Sequence, residues 1–186
     1  MSERSAGNLT AALDAAQKAL ELNKENLDAL EQLTLAHYEL GNIGKAIEYC
    51  NCFLEIAETM DRFIPYNMFA VIYLLRQSGD NERANQYLER WIEYDTITAY
   101  RDRLGSLINK AYIAALQGQN EEALEYLTQI ARQEKLSVWI YKLRTSPVFN
   151  EIMTEPEFIR IIGEIERKFE AQREGDRQRL EEKGLL

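Results

Sequence analysis

Histidine occurs once in the chain, cysteine twice and proline three times. Each scarcity excludes something. One histidine, His37, cannot supply the pair or trio of imidazoles of a catalytic zinc site. Cys50 and Cys52 lie two apart on a helical pattern and point to different sides, so no internal disulfide is expected and a reduced, cytoplasmic setting is the default. So few prolines leave long stretches open to helix. Basic residues are outnumbered, 22 Lys and Arg against 31 Asp and Glu, for a formal charge of −9. A nucleic-acid binder needs a basic face for phosphates, so no nucleic-acid partner is expected. An anionic membrane surface is disfavoured for the same reason. No apolar run approaches the roughly 18 residues of a membrane span, and the opening MSERSAGNLT lacks the apolar core of a signal peptide. Neither a Gly-rich run nor a Gly-Lys-Ser/Thr triplet is present to cradle a phosphate. The expectation is therefore no metal, no cofactor and no membrane partner.

What is present is a phrase written four times. GNLTAA at 7–12 returns as GNIGKA at 41–46, GDNERA at 79–84 and GQNEEA at 118–123. Around the second copy, Leu27, Leu30, Leu33, Tyr38 and Leu40 recur at helical spacing before the Gly, and Ala46, Ile47, Cys50, Phe53 and Leu54 after it. Gly41 stands where one helix must end, and glycine tolerates the positive φ that ends helices. The phrase therefore reads as the turn of a helical hairpin, with a small residue placed where two backbones approach. Successive glycines are 34, 38 and 39 residues apart, the period of a helical repeat array in which each hairpin buries its apolar stripe on the next.

The pattern resembles the tetratricopeptide repeat family over roughly residues 7–133. Gly7, Gly41, Gly79 and Gly118 match its turn, and Ala12, Ala46, Ala84 and Ala123 its early small position in the second helix. Ala111 and Ala19 match further small positions. Thr34 and Ile72, and Phe53, Trp91 and Ile130, depart from them, and Lys24, Glu58 and Thr96 replace the familiar proline. The resemblance implies an all-α fold of about nine or ten helices, a right-handed superhelical solenoid of antiparallel helix pairs followed by a long C-terminal helix. Residues 1–133 form the repeat array and residues 134–186 a helical extension packing on it. Longer connections such as DRFI before Pro65 account for the wider spacing of the later units.

Both ends depart from the repeat. Only six residues precede Gly7, so the first hairpin lacks its opening helix, and Ala12, Ala16, Ala19 and Leu20 are expected to lack a partner. A chain cut from a longer protein explains this better than a natural cap, which carries a polar outer face. At the other end, Ser137 suits a cap for a short helix through Arg144, and Pro147 the first turn of another. Thr154 with Glu157 has capping-box spacing and opens a helix through about Lys183. Its stripe is Phe158, Ile161, Ile162, Ile165 and Phe169; beyond it the helix is charged and solvated. The LRTSPVF and EPEF segments resemble the tail that follows such repeats in bacterial multidomain signalling proteins, including cyclase- and kinase-linked chains.

Chemistry is sparse. His37 and Cys50 sit on facing helices of one hairpin, and a Cys–His nucleophile is the one catalytic arrangement the residues offer. Nothing near them supplies an oxyanion hole, and a buried cysteine behaves as a small hydrophobe. The adjacent acids Glu121 and Glu122, or Glu181 and Glu182, face apart on helices and read as solvated. No enzyme is expected. In a stacked-hairpin array the first helices line the concave, partner-binding side. In the second unit Asp28, Glu31, Leu35, Tyr38 and Glu39 would project there. Tyr66, Phe69, Tyr73, Arg76 and Gln77 do so in the third, and Ile108 and Tyr112 in the fourth. The expected groove is Leu35, Tyr38, Tyr66, Phe69, Tyr73, Arg76, Gln77 and Tyr112, with the aromatics as anchors. A competing reading packs part of this cluster against the tail helix. Glu31 and Leu35 stand where some family members carry cationic or amide residues for acidic peptides, so that ligand class is disfavoured. The leading function is a protein–protein interaction scaffold holding a peptide or partner domain in the groove. The alternative is a regulatory segment of a larger bacterial signalling protein, forming a homodimer through the C-terminal helix.

Overall fold

The computed structural model describes residues 3–59, 67–99, 102–136 and 142–185, with side chains from residue 11 onward. Pro65 with the DRFI segment, Tyr66 and the Ser137 cap lie outside the described residues. The described residues are all-α, with no strand. Eight α-helices run in order: α1 Glu3–Leu22, α2 Leu27–Glu39, α3 Ile43–Thr59, α4 Met68–Gln77, α5 Asn81–Thr98, α6 Arg103–Leu116, α7 Asn120–Ala131 and α8 Pro156–Glu182. A 3₁₀ turn, Pro147–Phe149, precedes α8 and has its proline in the first turn, as expected. Two compact units, residues 1–91 and 92–186, divide the chain inside α5.

Three of the four phrases make the same turn. Gly41, Gly79 and Gly118 have φ of 72°, 86° and 73°. After each, two bonds close the helix end. Asn42 N donates to the His37 carbonyl at 2.9 Å and Gly41 N to that of Tyr38 at 3.0 Å. Asp80 N to Leu75 and Gly79 N to Arg76 repeat the pair, as do Gln119 N to Ala114 and Gly118 N to Ala115. This arrangement satisfies carbonyls that a helix end otherwise leaves orphaned. With so short a turn the flanking helices must run antiparallel; α2 lies on α3 and α6 on α7. Ala46, Ala84 and Ala123 are fully buried, each early in the helix that follows its turn.

The first phrase does not turn. α1 runs unbroken through Gly7, correcting its assignment as a hairpin turn. Glycine permits positive φ but does not impose it, so the same phrase can lie inside a continuous helix. The register moves accordingly: Ala12 is exposed, and Ala16, four residues on, is the buried position. The expectation that this helix faces nothing is also corrected. Leu13, Ala16, Ala19 and Leu20 pack on Ala29 and Leu33 of α2 and Tyr49 of α3.

In the first unit, Asn26 caps α2 by accepting from Ala29 N at 3.0 Å. Glu58 ties α3 to α5, accepting from Arg83 at 2.9 Å and from the Tyr87 hydroxyl at 2.6 Å. In the second unit, Asp102 caps α6 through Gly105 N at 2.8 Å. Buried Asp95 of α5 accepts from Ser106 and Asn109 of α6 at 2.9 and 2.8 Å.

α8 begins differently from the expected capping box. Glu155, with extended backbone, is its N-cap and makes no side-chain cap bond; Pro156 occupies the first turn. The proline fixes φ and brings no N–H to satisfy, so the start falls there and Thr154 stays outside the helix. Phe158, Ile161, Ile162 and Ile165 are buried as the stripe required, and Phe169 is half-buried. Lys168 donates to the Ala131 carbonyl at 3.2 Å and to that of Gln133, at the end of α7. Gln172 holds both backbone groups of Leu136, at 2.9 and 3.1 Å. Beyond it the helix is exposed and carries ion pairs within itself, Arg173–Glu170, Arg177–Glu174 and Arg179–Asp176. Gln172→Ala should therefore release the Leu136 amide to fast exchange at a cost of about 1 kcal/mol. A Leu136 amide that stays as protected as in the wild type would show that this clamp does not hold the segment.

Candidate protein-interaction surface

The expected groove residues separate into three groups. Tyr38, Phe69 and Tyr73 come together in the first unit. The Tyr38 ring meets Phe69 edge-on at 6.0 Å between centroids and Tyr73 at 5.7 Å. Phe69 and Tyr73, four apart, share a face of α4, and Tyr38 reaches them from α2. Tyr38 and Phe69 are buried, at 3% and 7% exposure, while Tyr73 keeps a solvent-accessible part. Desolvation raises the pKa of the Tyr73 hydroxyl above its ordinary value, so it is a neutral donor and acceptor at the edge of a hydrophobic seat. Arg76 is half-buried and Gln77 exposed, at the end of the same helix.

Leu35 is buried. With Glu31, Thr34, Phe53, Asn67, Met68, Ala70 and Val71 it lines a cavity of ≈ 10 Å³. Here the structure adds a residue that the sequence reading missed. Asn67 precedes α4 in the N-cap position but makes no cap bond; its amide instead donates to Glu31 Oε1 at 2.7 Å, joining the starts of α4 and α2. Its place just before an apolar helical run was a visible signal for a cap, but not for this longer reach. Tyr112 belongs to the second unit. It is buried against Phe149, with centroids 4.9 Å apart, and Phe149 in turn meets Phe158 of α8 at 5.7 Å. Tyr66 lies outside the described residues.

Cys50 and His37 are both core residues. Cys50 is 1% exposed, and burial pushes its thiol up to about 12, with Arg83 acting weakly in the other direction. A nucleophile needs the thiolate, and this thiol stays protonated. His37 is a core residue, 5% exposed, stacked on Tyr49.

Paired helices, Gly-closed turns and fully buried alanines define a helical-hairpin repeat protein. Residues 1–59, spanning α1 to α3, match the tetratricopeptide repeat family model. No curated protein and no solved structure matches the chain. Tetratricopeptide repeats are in general non-enzymatic scaffolds for protein–protein interaction. Among the described residues no helix is long and apolar enough to cross a membrane.

Proposed function

We propose that the chain is an interaction scaffold that holds a peptide or partner domain on the α2–α4 face of its first unit. The observation that carries this reading is the Tyr38–Phe69–Tyr73 cluster, in which two rings are buried and the third stays partly open to solvent. Tyr38 and Phe69 form the rigid seat. Tyr73, partly open to solvent, supplies contact area at low entropic cost. Arg76 and Gln77, one turn on, orient the partner by polar contacts. Leu35 borders the small cavity that Glu31 and Asn67 also line.

A photo-crosslinking test follows. Benzoylphenylalanine at position 73 should yield a discrete protein adduct in the native cell, and at exposed Ile159 of α8 it should not. Adding Arg76→Ala and Gln77→Ala should cut the adduct at least tenfold while the variant still melts as a cooperative folded chain. No adduct at 73, or one insensitive to both substitutions, would remove this face as the partner site.

A further inference from the structure

His37 is the one histidine of the chain, and imidazole is the side chain whose ordinary titration falls between about pH 5 and 8. It stands in the last turn of α2, and its carbonyl accepts the bond from Asn42 N that closes the first turn. Its ring lies parallel to that of Tyr49 on α3, with centroids 5.5 Å apart and planes 5° from parallel. Nδ1 is 3.5 Å from Asn42 Nδ2. With the amide donating, Nδ1 accepts and the ring proton sits on Nε2, which is buried without a partner among the described residues.

This site suits a neutral ring. In this orientation of the Asn42 amide, a second proton would fall on Nδ1 and oppose the donor. The charged groups acting on the ring are Lys45, which repels a cation, and Glu48, which attracts one, both on α3. The charged side chains described on α1, namely Asp14, Lys18 and Glu21, are exposed. Carbonyls at the end of α2 and the Tyr49 face favour an imidazolium. Burial first, and Lys45 second, outweigh them and hold the His37 pKa below its ordinary 6.5. Tyr49 also packs in the cluster that seats α1, with Leu13, Ala16 and Leu20 on Ala29 and Leu33.

We propose that His37 is a proton-operated release built into the first hairpin: proton uptake at mildly acid pH breaks the Nδ1–Asn42 contact, displaces the ring from Tyr49 and loosens the seat of α1. The sign follows from linkage. The folded ring binds a proton less tightly than the unfolded one, so this group's stability is complete above pH 6.5 and is lost as pH falls through the folded pKa.

Having one histidine makes the test clean. The His37 imidazole resonances should titrate with a midpoint below 6.5. Between about pH 7.5 and 5.5, the wild type should lose more melting temperature than His37→Phe, and amides of residues 11–20 should exchange faster in the wild type alone. His37→Gln serves if the phenylalanine variant does not fold, and the wild-type titration needs no variant. A midpoint at or above 6.5, equal losses in wild type and variant, or unchanged α1 exchange would each overturn the proposal.

Discussion

Ala84→Trp and Ala123→Trp are each expected to destabilise the chain strongly, while Ala12→Trp, at the same place in the repeated phrase, is expected to leave it nearly unchanged. Ala84 and Ala123 are fully buried, directly after the turns at Gly79 and Gly118. An indole there must push apart helices held by a three-residue turn. Overpacking typically costs about 1–3 kcal/mol, and tryptophan for alanine belongs at or beyond the upper end. Ala12 is exposed on α1, where substitutions usually stay within about 0.5 kcal/mol. The check is a thermal melt of all three variants. Equal melting temperatures would show that the buried alanines do not mark tight contacts. A loss in Ala12→Trp as large as in the others would show that the first phrase packs as the later ones do.

Phe149→Ala should cost about 3–5 kcal/mol, the range for emptying a buried aromatic site. Phe149 is 1% exposed and its ring lies between those of Tyr112 on α6 and Phe158 on α8. It comes from the short 3₁₀ turn before α8, which contacts α6. Removing the ring therefore opens a cavity beside Phe158, in the first turn of α8, as well as against α6. Alongside the fall in melting temperature, amides near Ile161, Ile162 and Ile165 should exchange faster, because these residues depend on the docking that Phe149 completes. Unchanged exchange in α8 would mean that the contact with α7, through Ile161 and the Lys168 bonds, suffices alone.

The turns were legible because their chemistry is local. A helix that ends in a positive-φ residue writes glycine there, and Gly41, Gly79 and Gly118 follow recognisable apolar helices. Gly184, with φ of 66°, ends α8 by the same bonds, Leu185 N to Leu180 and Gly184 N to Glu181. Its glycine was equally visible, but it lay outside the repeated phrase. Gly7 carries the same phrase inside the continuous helix α1, because glycine allows a turn without requiring one. At α8 two local signals competed, and the fixed φ of Pro156 overrode the Thr154–Glu157 spacing.

The candidate surface was legible in part. Phe69 and Tyr73 share a face by spacing alone, and placing Tyr38 beside them required only that α2 and α4 hold equivalent places in the repeat. The Asn67–Glu31 bond spans 36 residues and depends on side-chain reach, which no periodicity encodes. Tyr112 was placed in the groove by the same repeat logic as Tyr38. Its burial against Phe149 depends on where a non-repeating segment lands, and the repeat carries no information about that.

The most direct measurement is the backbone conformation at the four phrase glycines, from chemical shifts and φ-sensitive couplings in solution. Positive φ is expected at Gly41, Gly79 and Gly118, with helical shifts on both sides of each and helical values running through Gly7. Helical shifts continuing unbroken through Gly79 or Gly118, or a positive φ at Gly7, would contradict that expectation.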